Sequence, residues 1–422
     1  MINGEIKILE KSWIQGLWRG MTASNNWYCK LPWTGFSNDP DGKARPCCLY
    51  KDYIKDDAGK IMYVQTSTVK EIFTSNYMKN LRQEFRDGKQ PSACSTCIID
   101  EQNNYTSKRQ RYNDQYNKEM PVNFDKEPEF PVEYQMILSN ACNLKCRSCT
   151  PSHSSLWQAE HKVIWGNTGY NMPEGQSGEN DSVLWHNRGE WLPSVQRLEI
   201  VGGEPFYINR WRILWDELIN KGLSKKVNMD ISSNGTIYAG EVVEKLVNNF
   251  RSIGLGLSID GMGPLYEYLR HPGKWDEVES NIKQYHELRK QLDTKRFRVS
   301  ISHTIGWLNA WELPEFHTYI KTQAPLFVIW NNIIHHPTHM AIYMIPASLK
   351  TRIEAKWRSH DWGTYANDIE GIITFMNSKQ PTDDEIRNAY KTFKTHDVVR
   401  NENLLSVIPE EIINEIRPYV SD

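Results

Sequence analysis

From Val132 onward the chain alternates six short apolar runs, VEYQMIL, QRLEIVG, VNMDISS, SIGLGLSID, FRVSISHTI and LFVIWNNII, with longer stretches such as RWRILWDELINKGL and WDEVESNIKQYHELRKQL. Short, nearly continuous apolar strands joined by helix-length crossovers predict a parallel sheet covered by helices. Six such units in succession fit an α/β fold, a partial (β/α)6 TIM-like barrel. In sheets of this kind chemistry gathers at the carboxyl ends of the strands. The segment from Gly166 to Trp191, rich in Gly, Asn and Ser, reads as a loop insertion, and the chain beyond residue 345 reads as helical and polar.

The first of these strands runs straight into SNACNLKCRSC, which sets Cys142, Cys146 and Cys149 at C-x3-C-x2-C. Clustered thiols ordinarily signal a disulfide framework or a zinc site. Disulfide scaffolds belong to short secreted chains with little core, whereas this chain has 422 residues, 39% of them hydrophobic, and its opening MINGEIKILEKSW lacks the apolar run of an export signal. A structural zinc wants four ligands, and this cluster offers three with no fourth nearby. Three thiolates suit a cubane iron-sulfur cluster that keeps one iron free of protein ligands.

Upstream, Trp27 to Cys97 forms a turn-rich module. CKLPWTGFSNDPDGKARPCC reads as two short strands joined by the turn Asp39 to Gly42, where Pro presets φ and Gly accepts a positive one. Thr68 to Glu71 has the capping-box form, and Phe73, Tyr77, Leu81 and Phe85 recur along one helix face before Gly88. PSACSTC follows with Cys94 and Cys97. The polar stretch after it, ending in two prolines, reads as a connector, and its basic run KRQRY (Lys108 to Tyr112) as a solvated charge cluster. The expected organisation is therefore a cysteine-rich domain over 1–105, a linker over 106–131, the barrel over 132–345 and a helical C-terminal region over 346–422.

A net charge of -2 gives no global reason to expect nucleic acid, and no stretch approaches the roughly 18 apolar residues of a membrane span. Free thiols at this frequency imply a reducing compartment, so the expectation is a soluble, cytoplasmic protein.

The motifs at successive strand ends resemble those of the radical S-adenosylmethionine (SAM) superfamily: CNLKC in the first loop, VGGEP (Val201 to Pro205) at the second strand end, SSNGT at the third and SIDG at the fourth. The resemblance covers roughly residues 132 to 345. It implies a [4Fe-4S] cluster on Cys142, Cys146 and Cys149, SAM chelated at the open iron, and reductive cleavage of SAM to a 5'-deoxyadenosyl radical that abstracts a substrate hydrogen. Gly202 and Gly203 would then admit backbone close to the ligand, Glu204 would accept from the methionyl ammonium, and Ser233, Asn234, Ser258 and Asp260 would hold the ribose and carboxylate. Arg270 is a further candidate for the SAM carboxylate, with a surface arginine as the alternative. Where the family usually carries an aromatic residue before the third cysteine, this chain has Arg147 and Ser148.

Cys29 to Cys47 reads C-x12-G-x4-C, similar to the opening of the auxiliary-cluster modules called SPASM and twitch, which in the family usually follow the barrel. Cys94 and Cys97 would complete four ligands for an auxiliary [4Fe-4S] cluster, with a zinc ribbon as the alternative and Cys48 as a spare or exchangeable thiol. The resemblance implies a peptide or protein side chain as substrate and a reductant such as flavodoxin or ferredoxin. A nucleotide, RNA or small metabolite remains an alternative substrate, and a metal-stabilised binding protein without SAM cleavage an alternative function. HHPTH (His335 to His339) follows the sixth strand as a pocket or packed loop, and Trp307, Trp311 and Trp330 lie near the later strand ends.

Overall fold

The computed structural model describes residues 27–102, 105–116, 122–170, 182–293 and 295–420. In its N-terminal module a helical turn over Leu31–Thr34 leads into β1 (Gly35–Asn38) and β2 (Ala44–Arg45), an antiparallel pair whose turn is closed by the Gly42 amide donating to Asp39 O at 2.8 Å, with Gly42 at φ +85°. The expected single helix is two. Thr68 and Glu71 form the capping box of α1 (Val69–Phe73), and Ser75 then caps α2 (Asn76–Arg86). Helix α3 (Ser95–Gln102) carries Cys97.

The stretch expected to be a connector contains a helix, α4 (Lys108–Tyr116), with Arg109, Tyr112 and Asn113 buried. Arg109 is held by Glu101 at 2.6 Å and by Tyr28 O at 2.7 Å, so the KRQRY run is packed rather than solvated. Its buried face is polar, which is why apolar periodicity did not announce it.

Six parallel strands follow: β3 (Glu133–Met136), β4 (Arg197–Ile200), β5 (Asn228–Ser233), β6 (Ser252–Ser258), β7 (Phe297–Ile305) and β8 (Val328–Ile333). They pair in chain order, and β1 adds in parallel to β3, giving one sheet ordered β2-β1-β3-β4-β5-β6-β7-β8. The cysteine-rich module is thus continuous with the sheet. Between the strands run α5 (Ser155–Trp165), α6 (Asn209–Asn220), α7 (Gly240–Asn249), α8 (Gly263–Leu269), α9 (Trp275–Gln291) and α10 (Leu313–Gln323).

One sheet face is a core of Leu198, Ile200, Met229, Ile231, Leu255 and Ile301, joined by Trp211, Leu214, Val243 and Ile282 of the helices. The other face is polar and only partly covered. The register sets Ser232, Gly256, Ser300 and Val328 side by side, with Ser258, Ser302 and Trp330 in the next row. A closed barrel fills its interior with bulky branched side chains; serine and glycine there leave this face open.

The chain ends in α11 (Ala347–Arg358), α12 (Ala366–Asn377), α13 (Asp383–Arg400) and α14 (Glu410–Val420). These share a second core with Tyr268 of α8, Ile305 at the end of β7, and Trp307 and Leu308 just past it. The insertion from Gly166 to Trp191 is helical over Val183–His186 and Arg188–Trp191, and residues 171–181 lie outside the described residues. Among the described residues no helix is long and apolar enough to cross a membrane.

Candidate active site and the two thiol groups

The loop after β3 is fastened on three sides. Its backbone donates from Lys145 N to His271 O at 2.7 Å and from Arg147 N to Leu269 O at 2.8 Å, tying it to the segment beyond α8. Trp157 of α5 donates Nε1 to Cys146 O at 2.8 Å, and Ser154 Oγ bonds Leu144 O. The third side is the loop after β4. Glu204 N donates to Ala141 O at 2.9 Å, and a Cβ on Gly203, which stands at φ +57°, would lie 2.3 Å from that same carbonyl. A Cβ on Gly202 would meet Ile137 at 2.7 Å. The two glycines therefore allow one loop to press on the other, and the close approach they make is to the chain itself.

Glu204 is fully buried. Its carboxylate accepts from Ser233 Oγ at 3.0 Å, Asn234 N at 2.7 Å and Phe206 N at 3.1 Å, latching the end of β4 to that of β5. Burial raises its pKa to about 7 against those bonds. Asn234 reaches further: its Nδ2 donates to Asn143 Oδ1 at 2.8 Å and stands 3.9 Å from Cys142 Sγ. Asn143 and Thr236 close that ring at 2.8 Å. Asn143 was legible as part of CNLKC but carried no assignment of its own.

Asp260 and Arg270 form a buried ion pair at 2.7 Å, and Arg270 Nη1 lies 3.8 Å from Cys146 Sγ. Arg270 is thus an interior residue rather than a surface one. Asp260 also accepts from Thr304 N at 2.9 Å. Ser258 lies on the open sheet face beside Ser302.

Cys142, Cys146 and Cys149 are free thiols. Burial pushes all three up, Cys142 to about 11 and Cys149 to about 12. Thiols so placed become thiolates only with a metal or donors nearby, and the donors are there: Leu144 N at 3.4 Å and Asn234 Nδ2 for Cys142, Arg270 for Cys146. In the N-terminal module burial likewise raises Cys29, Cys47, Cys94 and Cys97. Cys47, Cys94 and Cys97 add their charge to the shift of Cys29, as do Cys47 and Cys97 to that of Cys94. These four thiols thus feel one another's charge, and Cys48, which adds to the shift of Cys47, faces Lys108 at 3.4 Å.

Among the described residues no three His, Cys, Asp or Glu side chains converge as ligands of one metal ion must. A cubane makes no such demand, since each of its cysteines binds a different iron. Both thiol groups therefore fit clusters by donor type and surroundings. His335 and His339 of HHPTH pack on Phe375 and Phe393, with ring centres 4.9 and 5.2 Å apart. Trp307 is buried, Trp311 lies under Lys356, and Trp330 is half exposed on the open sheet face.

The partners of Arg147 were beyond sequence reading. Its guanidinium stacks on Tyr268 at 3.5 Å and pairs with Asp397 and Glu402 at 2.5 Å each. Glu160 of α5 accepts from His396 and Arg400 of α13 at 2.9 Å and from Lys145 at 2.6 Å. No local spacing signals contacts between residues 250 apart in sequence.

A parallel α/β sheet with a three-thiol loop at a strand end and a four-thiol module on its edge defines a two-site cysteine protein. Residues 29–98 match the SPASM family, an iron-sulfur cluster-binding domain. This SPASM-type module precedes the sheet, and the ordered strand-end motifs resemble those of the radical SAM superfamily. The sporulation killing factor maturation protein SkfB of Bacillus subtilis (strain 168) is 26% identical over 194 residues, 44% of this chain and 38% of that protein. SuiB of Streptococcus suis bound to precursor peptide SuiA has a TM-score of 0.33 at 13% identity, over 78% of this chain and 60% of that one. The structure of anSMEcpe with AdoMet and the Kp18Cys peptide gives 0.33 at 17% identity, over 64% and 61%. The chain thus spans less than two thirds of the length of each of these proteins.

Proposed function

We propose that this chain is a radical SAM enzyme that cleaves SAM reductively and uses the resulting radical to modify a peptide or protein side chain. The observation that carries the reading is the setting of the three-thiol loop: Cys142 has a polar donor from the end of β5 and Cys146 one from the end of α8, and Gly202 and Gly203 press the neighbouring loop against it. Cys142, Cys146 and Cys149 hold a [4Fe-4S] cluster, and SAM bound there supplies the hydrogen-abstracting radical. Gly202, Gly203, Glu204, Ser233 and Asn234 shape one wall of the SAM site, and Ser258, Asp260 and Arg270 the other. The sheet curls as a partial (β/α)6 barrel over 132–345, and its open Ser/Gly face has room for an extended segment of substrate. Cys29, Cys47, Cys94 and Cys97 hold an auxiliary [4Fe-4S] cluster within a domain over 1–105, joined through 106–131, and residues 346–422 form the helical C-terminal region. A flavodoxin- or ferredoxin-type reductant in the cytoplasm supplies the electron. The name of SkfB, a maturation protein, supports a peptide substrate.

The test is anaerobic. Iron-replete, dithionite-reduced protein should convert SAM to 5'-deoxyadenosine, and the C142A/C146A/C149A variant should lose this while iron falls from about eight to about four per chain. Reduced protein that binds SAM and never cleaves it would leave a metal-stabilised binding protein.

A further inference from the structure

Lys108 opens the KRQRY run, with its side chain only 13% exposed. Its ammonium lies 3.4 Å from Cys48 Sγ, 3.2 Å from Gln135 Oε1 and 3.6 Å from Glu199 Oε2, over the Tyr112 ring at 4.8 Å. An ammonium taken out of water costs several kcal/mol unless charge compensates it. The carboxylates around it are already engaged. Glu199 also faces Arg197 at 3.5 Å and accepts from the Tyr112 hydroxyl. Asp230 pairs with Arg197 and faces Arg298 at 3.8 Å, and Glu133 pairs with Lys30 at 3.3 Å. The cation at the thiol end of this row of ion pairs is Lys108.

The ammonium faces Cys48, whose chain neighbour Cys47 is one of the four thiols that shift one another by charge. Resting on the reading of that site as an iron-sulfur site, we propose that Lys108 is its charge-compensating residue, raising the reduction potential of the cluster held by Cys29, Cys47, Cys94 and Cys97. A cation fixed beside the thiolates stabilises the reduced state, which gains one electron and needs no proton to arrive with it. The three-thiol loop is built otherwise: Arg270 stands 3.8 Å from Cys146 but is neutralised by Asp260 at 2.7 Å. The N-terminal site is therefore the better electron acceptor of the two, and Lys108 is a tuning residue rather than one that touches substrate.

The measurement is an anaerobic redox titration with dithionite, followed by electron paramagnetic resonance, on C142A/C146A/C149A protein, which retains only the N-terminal site. Relative to that parent, K108M should move the midpoint to more negative potential and K108R should restore most of the shift. E199Q, which frees Lys108 from its carboxylate, should move it the opposite way and decides the matter if K108M fails to assemble. Unchanged midpoints in K108M and E199Q would overturn the proposal. Metal analysis of the parent separates this from failure of the underlying reading: zinc in place of iron at the site would remove the cluster and the proposal with it.

Discussion

Glu204 shows how a motif residue can be visible in sequence while its work is not. VGGEP was legible as a strand-end motif, and the carboxylate was expected to face a ligand's ammonium. In the structure both oxygens accept from Ser233, Asn234 and Phe206 inside the chain. Sequence order reveals which residue types reach a strand end, but not which neighbours take up their lone pairs. A testable consequence follows from its pKa, which burial raises from an ordinary 4.5 to about 7. Because the folded state favours the protonated acid, Glu204's contribution to stability is fully present below about pH 4.5 and is lost as pH rises through about 7, a change of about 3 kcal/mol. In E204Q that pH-dependent part should vanish, leaving a pH-independent cost of about 1–3 kcal/mol from an amide set against the Asn234 N–H. Urea unfolding of both proteins at several pH values between 5 and 8 measures this, and parallel stability curves would contradict it.

At the scale of elements, the six strands of the parallel sheet were readable because their apolar side chains recur on one face, and their serines and glycines on the other were readable only once the register was known. Helix α4 escaped because Arg109 and Asn113 are buried through polar partners that periodicity does not see. Contact between the loops after β3 and β4 likewise depends on shape rather than pattern. Gly203 is where that contact can be broken: at φ +57° a side chain is strained, and its Cβ would sit 2.3 Å from the Ala141 carbonyl, a rigid backbone atom. Gly203→Ala should push the three-thiol loop away, so that iron per chain falls by about four after reconstitution while the N-terminal site keeps its metal. Wild-type iron content in G203A would show that the loop contact is slack.

At the scale of the whole molecule, the C-terminal helices are a part of the candidate site. Arg147, between two of the three loop cysteines, is buried against Tyr268 and balanced by Asp397 and Glu402, and His271 adds a bond to Glu402 at 2.6 Å. Asp397 also accepts from Tyr268 Oη at 2.9 Å and Leu404 N at 2.8 Å, so the anion belongs to α13 and its cap as much as to the arginine. Removing one partner from such a group leaves a buried charge uncompensated, which costs about 3–5 kcal/mol. Arg147→Met should therefore destabilise the protein by that order, whereas R147M/D397N/E402Q, in which the opposing charges are gone as well, should recover a large part of the loss. The structural readout is amide hydrogen exchange. R147M should raise exchange both in residues 142–149 and at the C-terminal end of α13, because each holds the other, while the N-terminal module should be unaffected. Unchanged exchange in the loop would mean that α8 and its following segment suffice to hold it, and that the C-terminal helices merely cover the site.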